Sequence, residues 1–201
     1  MQRKVFDQIA SGVGALVVVV LLVAGGLMVW GYSFAHSNVH DQLAQQQVFF
    51  PPKSAFDHPK AGTEITPSMI PSVSQYAGQQ VLTGEQARVY ANDFIAVHLS
   101  EMPYGGVYSK VSSAARTATP GSAQAKQLSA LESTVFQGTT LRGLLLQAYA
   151  FGTIATLLFW GAIASFILAL VSAVLVGGGL WHARRTAEDQ RLFATRAVPA
   201  S

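Results

Sequence analysis

The chain has 201 residues, half of them hydrophobic and only 11% charged, with a mean hydropathy of +0.34 and a formal net charge of +3. Soluble domains carry about 25% charged residues, so the composition argues against a freely soluble globular enzyme and for membrane segments. The absence of cysteine removes disulfide scaffolds, thiolate metal sites and Cys nucleophiles, and the thirteen scattered Lys and Arg make no basic face for nucleic acid.

Residues 1–8 carry Arg3 and Lys4 and are expected on the cytoplasmic side. From Ile9 to Trp30 no residue is ionisable, and Leu16 to Val23 is entirely Leu and Val. About 20 residues of helix cross a bilayer core of about 30 Å, and in lipid only a helix satisfies this backbone internally. A first transmembrane helix is therefore expected over 9–31. The stretch also resembles a signal peptide, with small residues at Ser33-Phe34-Ala35, but its apolar run is longer than the usual signal core. An uncleaved anchor is the preferred reading.

Residues 32–140 hold six Lys/Arg against seven Asp/Glu, a net of 6 − 7 = −1, as suits an extracytoplasmic domain. Tyr32 to Val48 has no Gly or Pro and should continue the first helix outward until Phe49-Phe50-Pro51-Pro52, because proline removes a donor and biases its predecessor away from the helix. Five prolines (51, 52, 59, 67 and 71) make 49–72 an extended, wrapping linker. Thr83-Gly84-Glu85-Gln86 reads as a capping box. The helix it opens should run to about Met102, with Ala87, Tyr90, Ala91, Phe94, Val97 and His98 on one stripe. Pro103 and Gly105-Gly106 end it. A shorter helix over 107–115 precedes the Thr119-Pro120-Gly121 break, and a last helix starts at Ser122, with Leu128, Leu131 and Val135 at helical spacing. No strand-like alternation, internal repeat or run of heptads is visible, so the fold class is all-α.

After Arg142 nothing is charged until His182 and Arg184, twice the length of one span. A hairpin of two spans turning near Trp160-Gly161 would need a more polar or Gly-rich turn. The preferred reading is one span over 154–180, bracketed by Trp160 and Trp181, with 141–153 an outer apolar extension. Arg184, Arg185, Arg191 and Arg196 in the tail 181–201, together with Arg3 and Lys4, place both termini in the cytoplasm by the positive-inside rule. The expected location is the cell membrane, multi-pass.

Three stretches carry a resemblance: Tyr76-Ala77-Gly78-Gln79-Gln80-Val81, Tyr90-Ala91-Asn92-Asp93-Phe94-Ile95-Ala96-Val97-His98-Leu99, and Leu141-Arg142-Gly143-Leu144-Leu145-Leu146-Gln147-Ala148-Tyr149-Ala150-Phe151. They resemble a group of uncharacterised two-span membrane proteins of actinobacteria over nearly the whole chain. The resemblance implies a topology and brings no activity, cofactor or catalytic residue with it.

Candidate chemistry is sparse. His36 and His40 stand at i,i+4 on one helix face, as in helical zinc sites, with His58, His98 or a carboxylate as a possible third ligand. His36-Ser37-Asn38-Val39-His40 lacks the glutamate of a zincin motif, and the alternative is a solvated polar face. His98 lies on the apolar stripe of its helix and reads first as a hydrogen-bonded core histidine. Asp93 and Glu101 could act as acid and base but read first as solubilising charges.

Arg142 is a candidate clamp for lipid phosphate or a partner carboxylate, against the alternative of an interfacial arginine reaching for headgroups. Gln147 is placed to hydrogen-bond a neighbouring helix. Leu144, Leu145, Leu146, Tyr149, Phe151, Ile154, Leu157, Leu158 and Phe159 cover all sides of the last helix, so 141–153 needs a cover, from this chain or from a partner. Ser165, Ala169 and Ala173 recur at helical spacing and allow close helix approach. There is no catalytic motif, no Walker loop, no Gly-x-Ser-x-Gly elbow, and Gly12-Val13-Gly14 lacks the third glycine of a dinucleotide site. No cofactor is implied.

The expected function is an accessory or structural membrane protein binding another envelope or membrane protein, or itself, in the lipid bilayer. A membrane-anchored metal-dependent hydrolase using His36 and His40 is the alternative. A subunit of an oligomeric channel or transport system is a further one.

Overall fold

The computed structural model describes residues 3–60 and 64–185, and among these there is no strand. Six α-helices follow one another: α1 (Arg3–Gln46), α2 (Ile70–Val73), α3 (Gly84–Val89), α4 (Ala96–Glu101), α5 (Tyr108–Thr117) and α6 (Ala123–Arg185). Short 3-10 turns occupy Lys53–Phe56, Pro67–Met69, Ser74–Tyr76 and Pro103–Gly106, and a π-helical turn, Tyr90–Ile95, joins α3 to α4. The chain divides into two compact units, one of residues 1–32 with 156–201 and one of residues 33–155. The segment 141–153 falls within the second unit, called the outer unit below after its proposed location. Arg191 and Arg196 lie outside the described residues.

The first unit is a pair of antiparallel helices. Two helices of the protein, α1 and α6, are long and apolar enough to cross a membrane. Helix α6 runs unbroken past Trp160-Gly161, so the second apolar stretch is one helix and not a hairpin of two.

On α1 the covered positions include Asp7, Ser11, Gly14, Val18, Leu21, Gly25, Met28 and Tyr32, with Ala24 and Gly31 beside them. On α6 they include Leu158, Ala162, Ser165, Ala169, Ser172, Val176 and Gly179. Both sets advance by alternating threes and fours, which is the heptad seam of a left-handed helix pair. The seam was not visible as heptads because its residues are Gly, Ala and Ser as often as large apolar ones, while Leu and Val fill every other face. In lipid, close van der Waals approach of small residues replaces the hydrophobic drive for pairing.

The approach is close at several glycines. A Cβ on Gly25 would lie 2.9 Å from the Phe166 ring, one on Gly161 3.0 Å from Met28 Sδ, and one on Gly31 3.1 Å from Leu158. Ser165 Oγ donates to the Leu21 carbonyl at 2.8 Å. Ser165 and Ala169 are buried in this seam, but Ala173 is exposed. The small-residue stripe therefore follows 162, 165 and 169 into the intrachain pair rather than continuing every fourth residue to a partner.

The outer unit is built around one apolar core. Val39 and Leu43 of α1 meet Phe50, Ile65, Met69 and Val73 from the proline-rich segment, then Val81, Ala87, Val89, Ala91, Ile95, Leu99 and Val111, and finally Val135 and Leu145 of α6. The proline-rich stretch expected to be extended is interrupted by the 3-10 turns at Lys53–Phe56 and Pro67–Met69 and by the start of α2, and it makes backbone bonds outside these. Phe50 N–H donates to the Gln79 carbonyl and Val81 N–H to the Val48 carbonyl, both at 2.9 Å, an isolated antiparallel bridge. The end of α1 is tied down by Gln80, whose Nε2 donates to the Ala44 carbonyl at 2.9 Å, one of the last carbonyls that a helix leaves without an internal partner.

Candidate functional site

The candidate site lies in the outer unit, where α3, the π-helical turn and α4 pack with the first part of α6. Helix α3 starts as the sequence dictates. The Thr83 hydroxyl accepts from Gln86 N–H at 3.2 Å, and Gln86 Oε1 accepts from Thr83 N–H at 3.1 Å, which satisfies two donors that a helix start otherwise leaves open. Gly84 then comes against α6. A Cβ there would lie 3.2 Å from the Ala148 carbonyl oxygen, Tyr149 Cα and Gly152 Cα. Gly84 and Gly152 together let the two backbones meet.

The π-helical turn places one more residue in its loop than an α turn does, and this moves the buried face. The stripe expected through Tyr90, Phe94, Val97 and His98 is half-buried. Deepest burial passes instead from Ala87 and Ala91 to Ile95 and Leu99.

The displaced aromatic residues form a ladder. Tyr76, Phe50, Tyr90, Phe94 and His98 follow one another with ring centroids 5.1, 5.2, 4.8 and 4.6 Å apart, within the range of favourable aromatic pairs. His98 Nδ1 lies 2.9 Å from the Phe94 carbonyl oxygen, so this histidine is a hydrogen-bonded packing residue. Burial, seconded by the negative charge of Glu64, pushes the Tyr90 phenol above its ordinary value.

Asn92 is carried by the same turn, and its Oδ1 accepts from Arg142 Nη2 of α6 at 2.9 Å. Arg142 Nε is buried without a hydrogen-bond partner. Hence the guanidinium is held on a neutral amide, and no carboxylate pairs with it. The nearby carboxylate Glu85 is engaged by Arg88 (Nη2 to Oε1 2.6 Å), whose hydrogen bond holds the Glu85 carboxyl below its ordinary value. The same bond raises Arg88, with Asp93 adding to the effect. Asp93 is half-buried and Glu101 exposed.

The apolar stretch of α6 is divided by its neighbours. Leu141, Leu145, Leu146 and Ala148 pack into or against the core. Leu144 is 53% exposed and Phe151 49%, with Ile154 also exposed, and Gln147 stands between them on the same outward stripe. Leu145, singled out above as a contact candidate, is 0% exposed and cannot be one, because the core closes over it. Tyr149 is half-buried near Gly84. Gln147 and Phe151 remain on the surface beside the rim where Arg142 meets Asn92.

His36 and His40 are exposed on α1. His40 Nδ1 lies 3.3 Å from Asp41 Oδ1, and among the described residues no group of three His, Asp or Glu side chains converges to hold a metal. Comparison of the chain with protein-family models, with curated proteins and with solved structures finds no match.

Proposed function

We propose that the chain is a two-span membrane protein of accessory or structural role, whose outer helical unit docks another membrane or envelope protein. The observation that carries this reading is the outward stripe Leu144, Gln147, Phe151 and Ile154 on a helix whose opposite face is fully packed. Large exposed apolar side chains grouped on one face are the mark of an interaction surface. Arg142 stands at its rim, held by Asn92 through Nη2, and a guanidinium is suited to a carboxylate on the docked protein.

The spans themselves are supported by register. Ser11 faces Gly179, Gly14 faces Val176 and Tyr32 stacks on Phe159 with centroids 5.3 Å apart. Trp30 therefore comes level with Trp160 at one end of the pair, and Trp181 with the start of the uncharged run of α1 at the other. The uncharged run of α1 and the stretch of α6 from Trp160 to Trp181 are each about 22 residues, or about 33 Å at 1.5 Å per residue, and match a bilayer core with Trp at its borders. Location in the cell membrane with both termini cytoplasmic, and kinship with the two-span actinobacterial group, belong to the same proposal.

The test is photocrosslinking in native membranes from a probe replacing Gln147, with a probe replacing the packed Leu131 as control. A discrete heavier adduct from position 147 that contains a second protein is expected. Adducts with lipid alone would sink the docking role.

A further inference from the structure

The hairpin unit contains a second feature that the docking role does not use. A groove of about 330 Å³ opens on its flank near the start of α1. Asp7, Ser11 and Ser172 supply its polar lining, and Val17, Leu175 and Val176 its apolar lining. Gly179 lets the two helices come close at its wall, since a Cβ there would meet Ser11 Oγ at 2.9 Å. One oxygen of Asp7, Oδ2, is buried and has no hydrogen-bond partner. A carboxylate oxygen withdrawn from water without a partner is unfavourable, and at the border of the apolar run it is open to a donor on a ligand.

The lining is ordered along the helices. The carboxylate lies at the end nearer the start of α1, Ser11 one turn along, and Val17 and Val176 beyond, inside the stretch without ionisable residues, with Ser172 the deepest polar group. A ligand that satisfies the whole groove carries a positive charge at one end and hydrocarbon at the other. We propose that the groove holds a membrane lipid whose headgroup bears a primary ammonium. The ammonium donates to Asp7, the Ser11 hydroxyl bonds the polar neck, and an acyl chain lies against Val17, Leu175 and Val176, running on towards Ser172.

The antiparallel register brings Arg184, exposed and five residues past Gly179 on α6, to the same end of the pair, where it provides the countercharge for the lipid phosphate. Arg185 is engaged differently, with its guanidinium 3.9 Å from the centroid of the Trp181 ring. A soluble amine would leave the apolar half of the groove unfilled. The volume is of small-ligand size, less than a docking helix would occupy.

This inference rests on the reading of α1 and α6 as membrane spans, and the experiment separates the two. The full chain is reconstituted in vesicles of equal parts phosphatidylethanolamine, phosphatidylcholine and phosphatidylglycerol, and alkaline carbonate extraction first establishes integral insertion. Lipid retained on the detergent-extracted protein is then counted by native mass spectrometry. Phosphatidylethanolamine should be retained over phosphatidylcholine by about tenfold, as one charge-assisted hydrogen bond implies. Asp7→Asn should remove that preference and Asp7→Glu restore most of it. Arg184→Gln should weaken retention of both lipids together.

A protein that extracts into carbonate overturns the membrane reading and the lipid site with it. An inserted protein that retains the two lipids equally, or whose preference survives Asp7→Asn, overturns the lipid site alone. So does an Asp7-dependent dimer without bound lipid, which would give the groove to a second copy. Equal displacement of the lipid by a short soluble amine would show that the apolar half of the groove contributes nothing, and would overturn the lipid as occupant.

Discussion

Single side chains in the outer unit show how far local chemistry is set by the turn that carries it. Asn92 reaches Arg142 from within the π-helical turn, and Tyr90 enters the aromatic ladder from the same turn. The Tyr90 phenol titrates above its ordinary value because burial disfavours the phenolate. Its folded-state value exceeds the unfolded one near 10, so the folded protein holds this proton more tightly than the unfolded chain does. Stability from this group is fully present below about pH 10 and is lost as the pH climbs through the folded value. Tyr90→Phe keeps both ring contacts and removes the titration. In detergent, the thermal midpoint of the wild type should fall more steeply than that of Tyr90→Phe as the pH rises above about 10. Parallel curves would show that the phenol does not sense its burial.

Among the elements, the crossing of α3 with α6 is the most demanding contact. A methyl group at Gly84 would press on three backbone atoms of α6 at 3.2 Å, and backbone cannot rotate aside as a side chain can. Gly84→Ala should cost about 1–3 kcal/mol, the range for overpacking a filled interior, read as a lowered midpoint of denaturant unfolding. An unchanged midpoint would mean that the crossing has slack.

Which elements were legible follows from how each is encoded. The capping box at Thr83 and Gln86 and the proline stop after α1 are short-range chemistry, and both stand where the sequence places them. The π-helical turn left no such trace, because it depends on how Tyr90 and Phe94 find room against Phe50 rather than on any local residue preference. The hairpin seam was hidden for a different reason. Hydropathy cannot distinguish Gly25 or Ala162 facing a helix from Val20 or Leu168 facing lipid, and only steric size does. In the site, Arg142 stood out as an arginine beside an apolar run, whereas its partner Asn92, fifty positions away, could be joined to it only by the fold. Asp7 sits two residues before the uncharged run, and only the antiparallel register brings it into a groove with Ser172.

For the whole molecule the decisive property is sidedness. Positive charge flanks the apolar helices on the same side of both, with Arg3 and Lys4 before the first and Arg184 and Arg185 after the second. The residues between them, 32–140, are nearly balanced at six basic against seven acidic. Lysine and arginine resist transfer across the membrane, and in the proposed topology two crossings let both basic ends stay on one side. A third crossing would carry the tail arginines out. The unbroken helix through Trp160 and Gly161 leaves no place for one within α6. The chain has no cysteine of its own, so single cysteines can report sidedness without background. With a membrane-impermeant maleimide on intact cells, Ser72→Cys should be labelled and Ser201→Cys should react only after permeabilisation. The reverse pattern would invert the topology, and labelling of both on intact cells would require an odd number of crossings and a different role for one of the two helices.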